Sequence, residues 1–169
     1  MGLDMYLTLE RKVQYYDTTK TAFGVPEEIS TMTALRSKKE QIPVLNSTSY
    51  TIGYWRKSYA IHNFFVTHCA LEVDEITLSG VEVDYSILEK LRDVCEEVLK
   101  DHSKAGDLLP DDMGTYDASY FSQIEYTKKL VTNLLEYLKK CYEIDKEYNK
   151  EISSTNAFYY TTVTYSASW

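Results

Sequence analysis

The sequence predicts an α+β fold: a small antiparallel sheet, with N- and C-terminal strands adjacent, packed by three to four helices within a single domain over residues 1–169. Three observations carry this reading. Residues 5–11 (MYLTLER) alternate bulky and polar side chains, the period of a half-buried strand. Residues 157–165 (AFYYTTVTY) are almost wholly β-branched or aromatic, the composition of a strand. Between them, apolar residues recur every three or four positions over two long stretches, as helix faces do. The second strand follows a long helix, so it is expected beside the first in one antiparallel sheet.

The elements follow in order. Residues 13–24 are Thr-rich and irregular and read as a loop. Pro26-Glu27-Glu28 has the signature of a helix start, with proline in the first turn and acids at the positive helix end. A helix is expected over 26–39, with Ile29, Met32 and Leu35 on one face. Residues 42–52 (IPVLNSTSYTI) read as a strand that Gly53 interrupts. Residues 54–69 (YWRKSYAIHNFFVTHC) read as a helix whose stripe is Tyr54, Ser58, Ile61, Phe65 and Cys69. Residues 71–83 are acidic and β-rich, a short strand or an exposed loop. Ser86-x-x-Glu89 is a capping-box signal ahead of Leu88, Leu91, Val94, Cys95 and Val98, which predicts a helix over 86–101. Gly106, Pro110 and Gly114 mark 102–114 as a loop. Asp117 or Ser119 then caps a long helix running to about Tyr148, with Tyr120, Ile124, Thr127, Val131, Leu134, Leu138 and Tyr142 on its inner face.

Composition narrows the function classes. The net charge of −8 opposes general nucleic-acid binding, which needs a basic footprint. No apolar run approaches the length of a membrane span, about 18 residues. Met1–Tyr6 lacks the basic and apolar regions of a signal peptide, so a cytoplasmic location is expected. Cys69, Cys95 and Cys141 are widely spaced and odd in number, which fits reduced thiols packed as small hydrophobes on helix faces. There is no glycine-rich phosphate loop, nucleophile elbow or zinc spacing, so neither a cofactor nor a metal is expected. Asp107, Asp111 and Asp112 are of a type that chelates cations, but Asp equally favours turns and caps.

Charge is distributed unevenly. Residues 72–112 hold 13 acidic and 4 basic side chains, a balance of −9, whereas 41–71 and 152–169 contain no carboxylate. An anion approaches most easily at those two stretches. The first contains Tyr54, Trp55, Arg56, Lys57, Tyr59, His62 and Asn63. On a helix, Trp55, Tyr59 and His62 stand at i, i+4 and i+7, beside Arg56, Tyr59 and Asn63. A guanidinium, an ammonium, flat rings and a helix N-terminus then share one surface. That set fits a small anionic ring-bearing ligand such as a nucleotide. The same residues equally fit packing: Trp and Tyr near a helix start fill cores, and Arg56 has many carboxylates to pair with. Two other readings are a protein–protein inhibitor or adaptor using the acidic 72–112 block, and a small nucleotide hydrolase using His62 as base. The uncharged tail 152–169 serves either as the dimer edge of a homo-oligomer or as an interior strand.

Four stretches carry a resemblance. MGLDMYL at the start, the central YWRK-x-x-x-IH followed by Asn63-Phe64-Phe65-Val66, the Leu108-Leu109-Pro110 loop and the terminal Ser168-Trp169 resemble a family of small bacteriophage and bacterial proteins without an established activity. The likeness runs nearly end to end, except for residues 13–40. Two places depart from the family pattern: Ser58-Tyr59 stands where Ala-Asn is usual, and DDMGTYDAS (111–119) replaces an aromatic, Gly-rich segment. The resemblance implies a bacterial host and, by analogy with other small phage proteins, binding of a host molecule or an immune signal.

Overall fold

In the computed structural model, residues 2–15, 47–69, 80–151 and 157–168 are described. Strand β1 covers Asp4–Tyr15, β2 Ser47–Arg56, helix α1 Tyr59–His68, β3 Val81–Glu82, α2 Tyr85–Lys100, α3 Ala105–Leu108, α4 Ala118–Glu151 and β4 Ala157–Ser168. The four strands form one antiparallel sheet in the order β2-β1-β4-β3. β1 and β4 are central neighbours, as the sequence predicts. Asp4 is the register partner of Ser168, and Tyr15 of Ala157. The helix expected at 26–39 and the start of the strand at 42–46 lie outside the described residues.

The period-two pattern sets which face is covered. Leu3, Met5, Leu7 and Leu9 of the β1 arm, with Val163, Tyr165 and Ala167 of β4, point to the helices and are buried. Tyr6, Thr8, Thr162 and Thr164 alternate to the other face and are part-exposed. β1 runs on through residues 13–15, which the sequence reading assigned to a loop, because the strand keeps its register with β4 as far as Tyr15.

The largest correction concerns residues 53–58. Gly53 does not break the strand. It sits within β2 opposite Leu7, beside the irregularity between Leu7 and Thr8. An added Cβ there would lie 2.6 Å from Leu130 Cδ2 of α4, so the glycine marks a close approach of helix to sheet. Tyr54, Trp55 and Arg56 are therefore strand residues, not helical ones. The chain turns only at Lys57, whose φ of 56° is left-handed and whose N–H donates to the Leu3 carbonyl at 2.7 Å. Helix α1 begins after Ser58 and buries Ala60, Ile61, Phe64 and Phe65.

The later helices lie close to expectation. α2 starts at Tyr85 with Asp84 at its N-cap, so Ser86 falls inside the helix and the predicted capping box is not used. The segment 102–114 is not all loop. A 3-10 turn at His102–Lys104 leads into the short α3, anchored by buried Ala105 and Leu109. The Asp117 carboxylate accepts the Tyr120 N–H at 3.0 Å at the start of α4. β4 lies between β1 and the two-residue β3 in the sheet. Cys95 and Cys141 are buried, and burial pushes the Cys95 thiol up to about 12; Cys69 is only half-buried at the end of α1. Among the described residues, no helix is long and apolar enough to cross a membrane.

Candidate functional site

The residues of the predicted constellation separate into three environments. Trp55 points inward from β2 and is 3% exposed. Its indole N–H donates to Thr127 Oγ1 of α4 at 2.8 Å. His62 is also interior, with Nδ1 at 2.8 Å from the Tyr165 hydroxyl. Burial lowers the His62 pKa, and Asp112 opposes that shift. The imidazole is thus held in the interior beside Tyr165, at 2% exposure. Asn63 donates to Asp112 Oδ1 at 2.6 Å and ties α1 to the segment before α4.

Tyr54, Arg56 and Lys57 stay together on the opposite, solvent-facing side. The Tyr54 hydroxyl donates to Asp4 Oδ1 at 2.6 Å, and Arg56 Nε stands 3.9 Å from the same oxygen. Tyr59 is half-buried. Strand alternation, not helical spacing, decides this split. Trp55 lies on the face opposite to its neighbours Tyr54 and Arg56, so indole and guanidinium never share one surface.

A groove of about 450 Å³ lies elsewhere, between the end of α4 and the start of β4. Tyr142, Asp145, Lys146, Asn149 and Lys150 line it from the helix, and Tyr159, Tyr160 and Thr161 from the strand. Its volume is within the range of small-molecule sites, about 300–1,000 Å³. Two side chains build its floor. Asp145 is buried, accepts Arg11 Nη2 of β1 at 2.5 Å and accepts the Thr161 hydroxyl at 2.8 Å. Burial acts against the Arg11 charge, but Asp145 more than compensates and holds the guanidinium pKa above its ordinary value. Asn149 accepts the Tyr159 N–H at 2.8 Å and donates to the Tyr159 carbonyl at 2.9 Å. Its amide thus fills the place of a neighbouring strand.

The electrostatics of the groove are graded. Burial, then Glu82 and Asp84, raise the Tyr142 pKa, so that end is acidic. Lys146 and Lys150 line the groove on the last turns of α4, where their charge offsets the negative end of the helix dipole. Asp145 faces inward to Arg11. Sequence reasoning missed this place, yet a signal existed. The buried stripe of Val131, Leu134 and Leu138 continues to Cys141 and then to Asp145, a carboxylate at a core position.

Part of the acidic block is paired. Arg92 pairs with Asp93, Lys100 and Lys128 with Glu96, and Lys104 with Glu97. Asp101 and Asp111 accept backbone N–H groups in their own turns. Among the described residues, no group of three His, Cys, Asp or Glu side chains is placed to hold a metal ion. Compared with known proteins, the chain matches no family model, no curated protein and no solved structure.

Proposed function

We propose that this protein is a non-catalytic binding protein for a small anionic ring-bearing ligand of nucleotide type, held in the groove between α4 and β4. The observation that carries the reading is the groove's lining. Lys146 offers an ammonium group to acidic oxygens, and Tyr142 and Tyr160 line the same groove with rings for stacking. This moves the proposed ligand from the Tyr54–Asn63 constellation to the far end of the sheet. The resemblance to phage proteins fits the same role, in which a host signal is withdrawn from circulation without being cleaved.

The test is native mass spectrometry of the protein purified from bacterial cells, followed by calorimetry with a panel of nucleoside phosphates and cyclic dinucleotides. An anionic, ring-bearing molecule is expected, recovered intact after denaturation. Lys146→Glu removes one charge-assisted contact of about 1.5–3 kcal/mol, a loss of at least about 10-fold in affinity. Arg56→Ala, at the other end of the sheet, is expected to leave affinity unchanged. A ligand-free chain that binds nothing in the panel overturns the proposal. Binding that survives Lys146→Glu but fails in Arg56→Ala returns the site to the Tyr54–Lys57 corner.

A further inference from the structure

β2 is hydrogen-bonded to β1 along one side, and among the described residues no strand pairs with the other. From Ser47 to Thr51 its ladder with Lys12–Thr8 is regular. Thr48, Ser49, Tyr50 and Thr51 are exposed, Tyr50 to 58%. Soluble proteins protect such an edge with charge, proline, a bulge or a covering element, because its unpaired peptide groups invite another strand. From Ser47 to Thr51 there is no charge and no proline, the irregularity comes only after Thr51, and among the described residues no strand covers the edge. The opposite side of the sheet is protected. β3 pairs with Thr164 and Tyr165, and the Asn149 amide occupies both peptide groups of Tyr159.

Charge selects the partner. With a net charge of −8, copies of this chain repel one another over most of their surface. Residues 41–71 contain no carboxylate, and 47–55 contain no charge at all. The unprotected strand is therefore also where two acidic copies approach at the lowest electrostatic cost. We infer that a second copy of the chain pairs with β2 along Ser47–Thr51, antiparallel and about a twofold axis. Such an axis at Ser49 brings the strand against itself, so that Ser49 meets Ser49, Tyr50 meets Thr48, Ser47 meets Thr51, and no like charges are opposed. The ladder has five residues on each copy, so the pair is small and dissociates on dilution. It leaves the α4–β4 groove open.

Sedimentation velocity over a concentration series tests this on the full chain. The mass is expected to rise from 19.6 kDa toward twice that value. Ser47→Glu combined with Thr51→Glu places like charges opposite each other across the axis and abolishes the rise. Ser47→Lys with Thr51→Lys does the same, and mixing the two variants restores it. A wild-type chain that stays at the monomer mass overturns the inference, as does a dimer indifferent to these charges. If a charged variant fails to fold by circular dichroism, Ser49→Cys decides: a disulfide-linked dimer through residue 49 under mild oxidation supports the pairing, and its absence refutes it.

Discussion

Thr127→Val tests the placement of Trp55 at a single atom. Thr127 is fully buried, and its hydroxyl accepts the Trp55 indole N–H at 2.8 Å while donating to the Gln123 carbonyl at 2.7 Å. Valine has nearly the same shape and a similar helix propensity, so the substitution leaves no cavity and does not alter the helix itself. What it removes is the indole's acceptor. A buried N–H left without a partner costs about 1–3 kcal/mol. Taking about 2 kcal/mol and a shift of about 2–4 °C per kcal/mol for a chain of this size, Tm should fall by about 4–8 °C. Urea unfolding followed by tryptophan fluorescence gives the same quantity as a lowered midpoint at constant slope. Trp55→Phe removes the donor, so the Thr127→Val cost should shrink in that background, which a double-mutant cycle reads as coupling. If Thr127→Val unfolds at the parental midpoint, the indole has another acceptor and the inward turn of residue 55 is wrong.

Two further outcomes follow from the interior polar groups. Asp145→Ala strands the Arg11 guanidinium and the Thr161 hydroxyl; breaking a buried pair costs about 3–5 kcal/mol, and the lower end applies because Arg11 is about a third exposed. Chemical unfolding should show it, and a loss below about 1 kcal/mol would mean that the pair is solvated. For His62, burial lowers the folded pKa, so the unfolded chain binds the proton more readily. The stability it contributes is complete above about pH 6.5 and is lost as pH falls through that value toward the folded pKa. Tm measured from about pH 7 down to about pH 5 should decline, and less steeply in His62→Phe. An unchanged slope in the variant would show that His62 is not protected from protons in the fold.

Regular pattern made much of this architecture legible. The 3-4 spacing of Leu88, Leu91, Cys95 and Val98 located α2, and the β-branched run at 157–165 located β4. The alternation at 5–11 gave the buried face of β1. The errors cluster where one residue carries two meanings. Gly53 reads as a breaker in sequence, but its role is to admit Leu130 against the sheet, a tertiary contact that no local pattern encodes. Once the strand was ended there, Tyr54–Ser58 fell into the following helix, and the candidate site inherited a periodicity that its first residues lack. A period of 2 in place of 3.6 turns Trp55 away from Arg56. The groove residues were spread over a helix end and a strand start, so their proximity appears only once α4 folds back onto β4.

The pairing of β1 with β4 also constrains how the molecule is made. β1 precedes every helix in the chain and β4 follows them all, yet the two lie side by side at the centre of the sheet. While the ribosome is still producing α4, β2 alone among the described strands can lie beside β1, and a two-stranded ribbon is marginal in water. Helices α2 and α4 rest on local contacts and are free to form early, whereas closing the sheet joins Asp4 to Ser168 across nearly the full length of the chain. Until β4 is made, the sheet that carries Leu3, Met5, Leu7 and Leu9 lacks its central pairing, the interval in which a chaperone has something to hold.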